Sequence, residues 1–320
     1  MSFKEPLVSI VVITYHSSKF IEETLNSIYN QTYPNIELII TDDCSKDNTI
    51  EICKNWLEKH PDRFIHSTII TSETNQGIPA NCNKGYDIAQ GEWIKAIAGD
   101  DCLYPHAIEK YMEAAKEHDF SICFSSMDVY KNTFQQENII IPHWSPIPNI
   151  RYNLTTAEEQ FKLLTITNQI FAPAVIMKKE LYHEVGKYDE EIKLCEDWPM
   201  WLKITRKGYR FHYIDEPLVM YRKYIDSTWG QQTYNKKYAV TNEEVTIKQK
   251  YIFPYIGCFK KWIFKLDYYA RINLNLMSRD NNSSIKIITF KIIKRFCEKY
   301  IRFLYKWYDI KLKNRIKSQV

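Results

Sequence analysis

The chain has 320 residues, 45% hydrophobic and 26% charged, with 12 Pro and 8 Gly, enough apolar material for a large core, which excludes global disorder. Its net charge of +4 conceals an asymmetry: residues 251–320 carry 16 Lys and Arg against 4 Asp and Glu, whereas residues 1–250 carry 27 against 35. No run of about 18 apolar residues occurs, which argues against a spanning helix.

In chain order, Leu7 to Ile13 is a largely β-branched run that predicts a strand buried on both faces, and Ile21, Leu25 and Ile28 then recur at helical spacing. The next cycle places a strand at Ile36 to Ile40, a turn at Asp42 to Asn48 and a helix through Ile52, Trp56 and Leu57. Phe64 to Ile70 predicts a third strand, Pro79 to Ala89 a helix opened by proline in its first turn, and Trp93 to Ala98 a fourth strand. A helix from His106 to His118 and a strand from Ser121 to Val129 continue the series, the signature of an open, doubly wound α/β sheet. Between Asn132 and Asn153, Pro142, Pro146 and Pro148 interrupt the rhythm and predict a long surface loop. Thr156-Ala-Glu-Glu159 then has the form of a capping box ahead of Phe161, Leu163 and Leu164, and two more strands are expected at Ile170 to Met177 and Tyr209 to Ile214.

Ligands of such sheets sit outside the carboxyl ends of the strands, and polar residues gather there: Thr14, Tyr15 and His16, then Asp42 and Asp43, then Asn75 to Gly77, then Gly99, Asp100 and Asp101. Adjacent aspartates at a strand end are costly unless something neutralises them. One can cap the next helix while the other stays in water, or the pair can hold a hard divalent cation that bridges phosphate oxygens. Glu196-Asp197 is likewise either the acidic first turn of a helix through Trp201 and Ile204 or a base able to deprotonate a hydroxyl.

Taken in order, Val8-Ser-Ile-Val-Val-Ile-Thr-Tyr-His16, Glu37-Leu-Ile-Ile-Thr-Asp-Asp-Cys-Ser-Lys-Asp-Asn-Thr49, Asn75-Gln-Gly77 with Asn83-Lys-Gly85, Gly91-Glu-Trp-Ile94, Gly99-Asp-Asp101, Gly186-Lys-Tyr-Asp-Glu190, Cys195-Glu-Asp-Trp198 and Pro217-Leu-Val-Met-Tyr-Arg222 resemble successive blocks of the family 2 glycosyltransferases. The resemblance covers roughly residues 5–230 and implies the GT-A fold, a Rossmann-like, mostly parallel sheet flanked by helices. It implies a domain over 1–230, with a nucleotide-binding half at 1–130 and an acceptor-binding half at 131–230, followed by a helical C-terminal region at 231–320. The activity implied is an inverting, Mn²⁺- or Mg²⁺-dependent hexosyl or N-acetylhexosaminyl transfer from a nucleoside diphosphate sugar, commonly a UDP-sugar, to a glycan or lipid-linked oligosaccharide of a surface polysaccharide. By resemblance Thr14, Tyr15 and Asp42 hold the nucleoside, Asn83, Lys84 and Arg222 assist the donor, Asp100 and Asp101 hold metal and diphosphate, and Asp197 is the base with Glu196 beside it. The chain departs from the family pattern at Ala98, Cys82 and Tyr224, where an Asp, an Arg and a His are frequent. A sugar nucleotidyltransferase and a noncatalytic nucleotide- or glycan-binding scaffold are the alternatives; the first usually has a Gly-rich basic loop where Thr14-Tyr-His-Ser-Ser18 stands.

Residues 285–310 place Ile285, Ile288, Ile292, Phe296, Tyr300, Phe303, Trp307 and Ile310 on one helical stripe, with Lys291, Lys294, Lys299, Arg302, Lys306 and Lys313 mainly off it. The pattern fits packing on the domain or on a second subunit, or attachment to an anionic membrane surface. Nucleic acid is not an expected partner, because no recognised module is visible and the first 250 residues are acidic. The N-terminal residues do not have the form of a leader, and the eight cysteines, without C-x-x-C spacing, are expected to be reduced and mostly buried. Together these lead to the expectation of a cytoplasmic protein, peripheral on the inner membrane face if the tail docks there.

Overall fold

The computed structural model describes residues 5–145, 153–224, 234–277 and 284–317. The first half alternates β1 (Val8–Thr14), α1 (Ile21–Tyr29), β2 (Ile36–Asp42), α2 (Thr49–Lys59), β3 (His66–Thr71), α3 (Ile78–Ile88) and β4 (Trp93–Ala98). These strands are parallel in the order β3-β2-β1-β4. Alternation along them divides the core into two layers. Val11, Ile39 and Ile94 face one layer with Cys82 and Tyr86 of α3. Ile10, Val12, Leu38 and Ile40 face the other, against Leu25 and Ile28 of α1 and Trp56 of α2. Helices therefore cover both faces, as the buried β-branched runs require.

The parallel register fixes the site edge. Thr14 pairs with Asp42, Asp42 with Thr71, and Ile13 with Ala98, so four strands end side by side. Gly99 allows the β1 and β4 ends to meet, since a Cβ there would lie 3.0 Å from both Thr14 Cγ2 and Ser17 Oγ. Gly85 seats α3 on the sheet: its Cβ would fall 2.3 Å from Val11 Cγ1 and 2.8 Å from Thr41 Cγ2.

Beyond β4 the sheet becomes mixed, through β5 (Cys102–Leu103), β6 (Ile122–Lys131), β7 (Ile139–Trp144), β8 (Val175–Lys178) and β9 (His212–Lys223). β8 runs antiparallel to both β4 and β6, and β9 runs parallel to β6. Three expectations change here. The segment read as a long loop contains β7, an antiparallel partner of β6 that includes Pro142; Pro146 and Pro148 lie outside the described residues. The strand expected at Tyr209 to Ile214 starts at His212 and continues to Lys223. It passes through Pro217 because the register shifts on either side of the Ser126–Pro217 pair, and such an irregularity tolerates a missing N–H. The strand expected from Ile170 is shorter, a 3₁₀ turn at Ala172–Ala174 leading into β8.

Helix α4 (Ala107–Glu117) covers the β6 side. Helices α5 (Ala157–Leu164), α6 (Lys179–Glu184) and α7 (Asp197–Arg206) complete the domain; Thr156 and Glu159 form the expected capping box at α5. Three more helices follow, α8 (Tyr234–Ile247), α9 (Cys258–Met277) and α10 (Ser284–Lys317). Ile247, Ile252 and Phe264 belong to the core layer that contains Phe161 and Trp198, so this helical region is continuous with the domain. Six cysteines are buried, Cys44 is partly buried and Cys258 is exposed, all as free thiols. Among the described residues no helix is long and apolar enough to cross a membrane.

Candidate active site

At the carboxyl end of β1, the buried Thr14 Oγ1 donates to Asp42 Oδ1 at 2.9 Å. Asp42 also accepts from Ser45, from the backbone N–H at 2.8 Å and from the hydroxyl. Thr14 and Asp42, both buried, are thus locked together, and Tyr15 beside them is 51% exposed with its ring in an edge contact with His16 at 4.3 Å. Asp43, buried on the same turn, receives the backbone N–H groups of Gln76 at 2.8 Å and Gly77 at 2.7 Å. It clamps the third loop against the second, which explains why Asn75-Gln-Gly77 lies at this edge. Lys84 Nζ donates to Ser72 Oγ at the end of β3.

Helix α3 begins at this edge, and Asn81 Nδ2 donates to the carbonyls of Thr14 at 3.3 Å and Thr41 at 3.1 Å. Its Oδ1 is buried without a hydrogen-bond partner, an acceptor a ligand hydroxyl or N–H would satisfy. Asn83, two residues on, has both ends of its amide occupied. Nδ2 donates to Tyr188 O at 3.1 Å and Glu190 at 2.9 Å, while Oδ1 accepts from Tyr188 N and the Tyr182 hydroxyl, both at 3.0 Å. Expected at the donor, Asn83 ties α3 to the Gly186–Glu190 loop.

Asp100 and Asp101 follow β4. Burial pushes both carboxyls above the usual range, and for Asp101 the charge of Asp100 adds to the rise. Asp101 Oδ1 accepts the backbone N–H of Arg222 at 2.8 Å, and the Asp101 carbonyl accepts from Thr24 at 2.8 Å. The Tyr224 hydroxyl bonds to Asp100, which is more accessible than Asp101. Arg222, expected at the diphosphate, sits beneath this turn almost fully buried. Its Nε donates to Asp100 O at 2.8 Å, and its other two nitrogens donate to Asn132 O and to Glu23. Phe20 and Phe134 bracket the guanidinium at 4.4 and 3.9 Å from their ring centres. Lys95 lies buried on β4, donating to Ala96 O at 2.8 Å and to Pro173 O; burial lowers its pKa to about 7.

No group of three or more His, Cys, Asp and Glu side chains is arranged to hold a metal among the described residues. Two desolvated neighbouring carboxylates suit a divalent cation whose remaining positions come from phosphate oxygens and water, a pattern typical of Mg²⁺.

A second acidic group stands at the start of α7. Asp197 accepts from Asn168 Nδ2 at 3.0 Å and from the Trp198 N–H at 2.7 Å. Burial raises its pKa to about 6, against these hydrogen bonds, and burial together with Asp197 raises Glu196 to about 8. The buried thiol of Cys82, next to Asn81 on α3, is pushed up by burial and by the charges of Glu196 and Asp197. The first turns of α3 therefore bridge the strand-end residues and the Glu196-Asp197 pair. Sequence reasoning placed Asp43 at a strand end without a role and did not single out Asn81 or Asn168; an Asn beside the quoted Asn83 block was an available signal.

A model of the family described as Glycosyl transferase family 2 matches residues 9–186. An uncharacterised glycosyltransferase of Methanocaldococcus jannaschii is 31% identical over 230 residues, 68% of this chain and 71% of its own length. The match to an uncharacterised glycosyltransferase of Rickettsia conorii, 27% identical over 245 residues, covers 75% of this chain but spans 37% of that longer protein. Among solved structures, residues 1–349 of S. aureus TarS in complex with UDP-GlcNAc align with a TM-score of 0.59 and 18% identity over 92% of each chain. A mannosyltransferase from Pyrobaculum calidifontis in complex with GDP-Man and Mn²⁺ aligns with a TM-score of 0.52 and 19% identity, over 98% of this chain and 75% of the other. At those identities the structural likeness concerns the fold.

Proposed function

The chain belongs to glycosyl transferase family 2 and has its GT-A-like α/β fold, and from that premise we propose that it is an inverting transferase moving a sugar from a nucleoside diphosphate donor, a UDP-sugar, to a hydroxyl of a glycan or lipid-linked oligosaccharide. One observation carries the proposal. The domain carries two separate carboxylate groups, Asp100 with Asp101 after β4 and Glu196 with Asp197 at the start of α7, and the second contains a carboxyl that burial raises to about 6. The likeness to structures solved with UDP-GlcNAc and with GDP-Man and Mn²⁺ supports a nucleotide-sugar donor and a divalent cation.

In this reading Thr14 and Asp42 accept hydrogen bonds from the nucleoside, Tyr15 stacks on it, and Asn81 Oδ1 gains the donor it lacks. Asp100, the more accessible carboxylate, is the direct metal ligand, and Lys84 at the β3 edge adds positive charge towards the phosphates. A metal bound there would stabilise the negative charge growing on the departing diphosphate. Asp101 holds the turn through the Arg222 backbone, and Arg222 supports it from below as a positioning residue. Asp197 Oδ2 takes the acceptor proton as the hydroxyl attacks the anomeric carbon opposite the diphosphate, which inverts that centre. A carboxylate near pH 6 is ionised at neutrality and more basic than an ordinary aspartate. Glu196 retains its proton there, so the base has a neutral neighbour.

The test is release of nucleoside diphosphate from a panel of nucleotide sugars with Mn²⁺, in the presence of candidate glycan acceptors. Transfer by the wild type and its loss in Asp197→Asn, with UDP binding retained, is the expected result. Nucleotide binding without turnover in the wild type would instead make the protein a scaffold.

A further inference from the structure

The C-terminal helices present a surface that catalysis does not use. On α10, Ile288, Ile292, Phe296, Phe303, Trp307 and Ile310 are each 46–60% exposed. Their spacings of three, four and seven residues place them on one stripe. The opposite side of the helix carries the buried Cys297 and Ile301, which packs on the core. The apolar stripe thus faces away from the protein. Tyr300 joins it to α9 through an edge contact with Phe259 at 5.5 Å, and Phe259 stacks on Trp262 at 6.0 Å; both α9 rings are more than half exposed.

Beside the stripe runs a second row. Lys291, Arg295, Lys299, Arg302 and Lys306 recur at four, four, three and four residues and are all exposed. The row extends along roughly 22 Å of helix at 1.5 Å per residue. Ser284–Lys317 contains eleven Lys and Arg against two acidic residues. We propose that this face of α9 and α10 is a docking surface for an anionic lipid bilayer, with the aromatic and aliphatic stripe entering the headgroup region and the cationic row lying over acidic lipid. The parallel arrangement of the two rows suits a helix lying in the plane of an interface. A second copy of the chain would bring an equally basic row to the same face, and the like charges would oppose that contact.

Docking here also sets an orientation. Lys260 of α9 donates to Thr165 at the end of α5 at 2.8 Å, and Phe264 shares a core layer with Trp198 of α7. The bilayer face is therefore fixed to the part of the molecule that carries Glu196 and Asp197. The inference concerns location and holds whether or not the acceptor is lipid-linked.

The test is co-sedimentation of the full chain with vesicles of phosphatidylcholine and phosphatidylglycerol, compared with phosphatidylcholine alone. Binding is expected only to the mixed vesicles, and to fall with added salt. The exposed-residue variant Phe303→Ser with Trp307→Ser is expected to bind about tenfold more weakly, and Arg295→Gln, Lys299→Gln, Arg302→Gln and Lys306→Gln together about a hundredfold more weakly after screening. Unchanged circular dichroism and nucleotide binding establish that both variants are folded. Equal binding to neutral vesicles, undiminished binding by either variant, or a dimer in light scattering that is lost in the Ser variant without any vesicle binding would overturn the proposal.

Discussion

Asp197 offers a quantitative test, because its environment makes a prediction that an ordinary aspartate would not. Burial at the start of α7 raises it from 3.8 to about 6, in spite of hydrogen bonds from Asn168 and Trp198. If its ionised form is the base, kcat/KM rises with pH with unit slope and is half-maximal near 6. About a tenth of the plateau then remains at pH 5, where an aspartate at its ordinary value would retain most of its activity. Glu196, raised to about 8, is still protonated through this range. Glu196→Gln therefore keeps a neutral neighbour and should leave the acidic limb within a few tenths of a pH unit of the wild-type position. The assay is initial-rate nucleotide release at constant ionic strength. A plateau that persists down to about pH 5, or a limb that moves to near 4 in Glu196→Gln, would refute the assignment of the pair. Stability gives an independent reading of the same carboxyls. Both are raised in the folded state, so their contribution is complete below the unfolded values and is lost as pH rises through about 6 and then about 8. Glu196→Gln should consequently melt higher than wild type at about pH 9 and much like it at about pH 4.

Other residues yield shorter tests. Arg222→Lys keeps the charge but loses the planar fork that reaches Asp100, Asn132 and Glu23 between two Phe rings; it should lower stability by about 3 kcal/mol in chemical denaturation and weaken nucleotide binding. Gly85→Ala, ordinarily favourable in a helix, should instead destabilise by about 1–3 kcal/mol, because the new methyl meets Val11 and Thr41 below contact distance. Asp100→Asn should abolish the Mn²⁺-dependent part of the thermal shift produced by UDP while leaving any metal-independent part; a full metal-dependent shift in this variant would remove Asp100 as ligand.

The parallel half of the fold was legible because it is written in short-range terms. Runs such as Ile36 to Ile40 are buried on both sides, and polar residues begin where each strand ends. The mixed half was less so. Pro142 and Pro217 speak locally against strands, and only pairing with β6 and a shift of register accommodate them. The proposed site residues divide in the same way. Thr14, Asp42, Asp100 and Asp101 stand where apolar runs end, a position legible locally, while their roles came from the family resemblance. Arg222 was assigned from its motif to the diphosphate, whereas its partners Glu23, Asn132 and Asp100 come from distant parts of the chain and together make it a buried support. Asn83 is a similar case, since its four hydrogen bonds go to three residues, Tyr182, Tyr188 and Glu190, about a hundred residues away. The exposed stripe on α10 was visible as a helical repeat, but only the packing of Cys297 and Ile301 identifies which side remains outside.

The most direct measurement is paired: UDP binding by calorimetry and UDP-sugar turnover, each with Mn²⁺, on the wild type and on Asp197→Asn. Matching UDP affinities are expected, with a turnover lower by about 10²- to 10⁴-fold in the variant. Equal turnover by the two proteins would contradict the base role of Asp197.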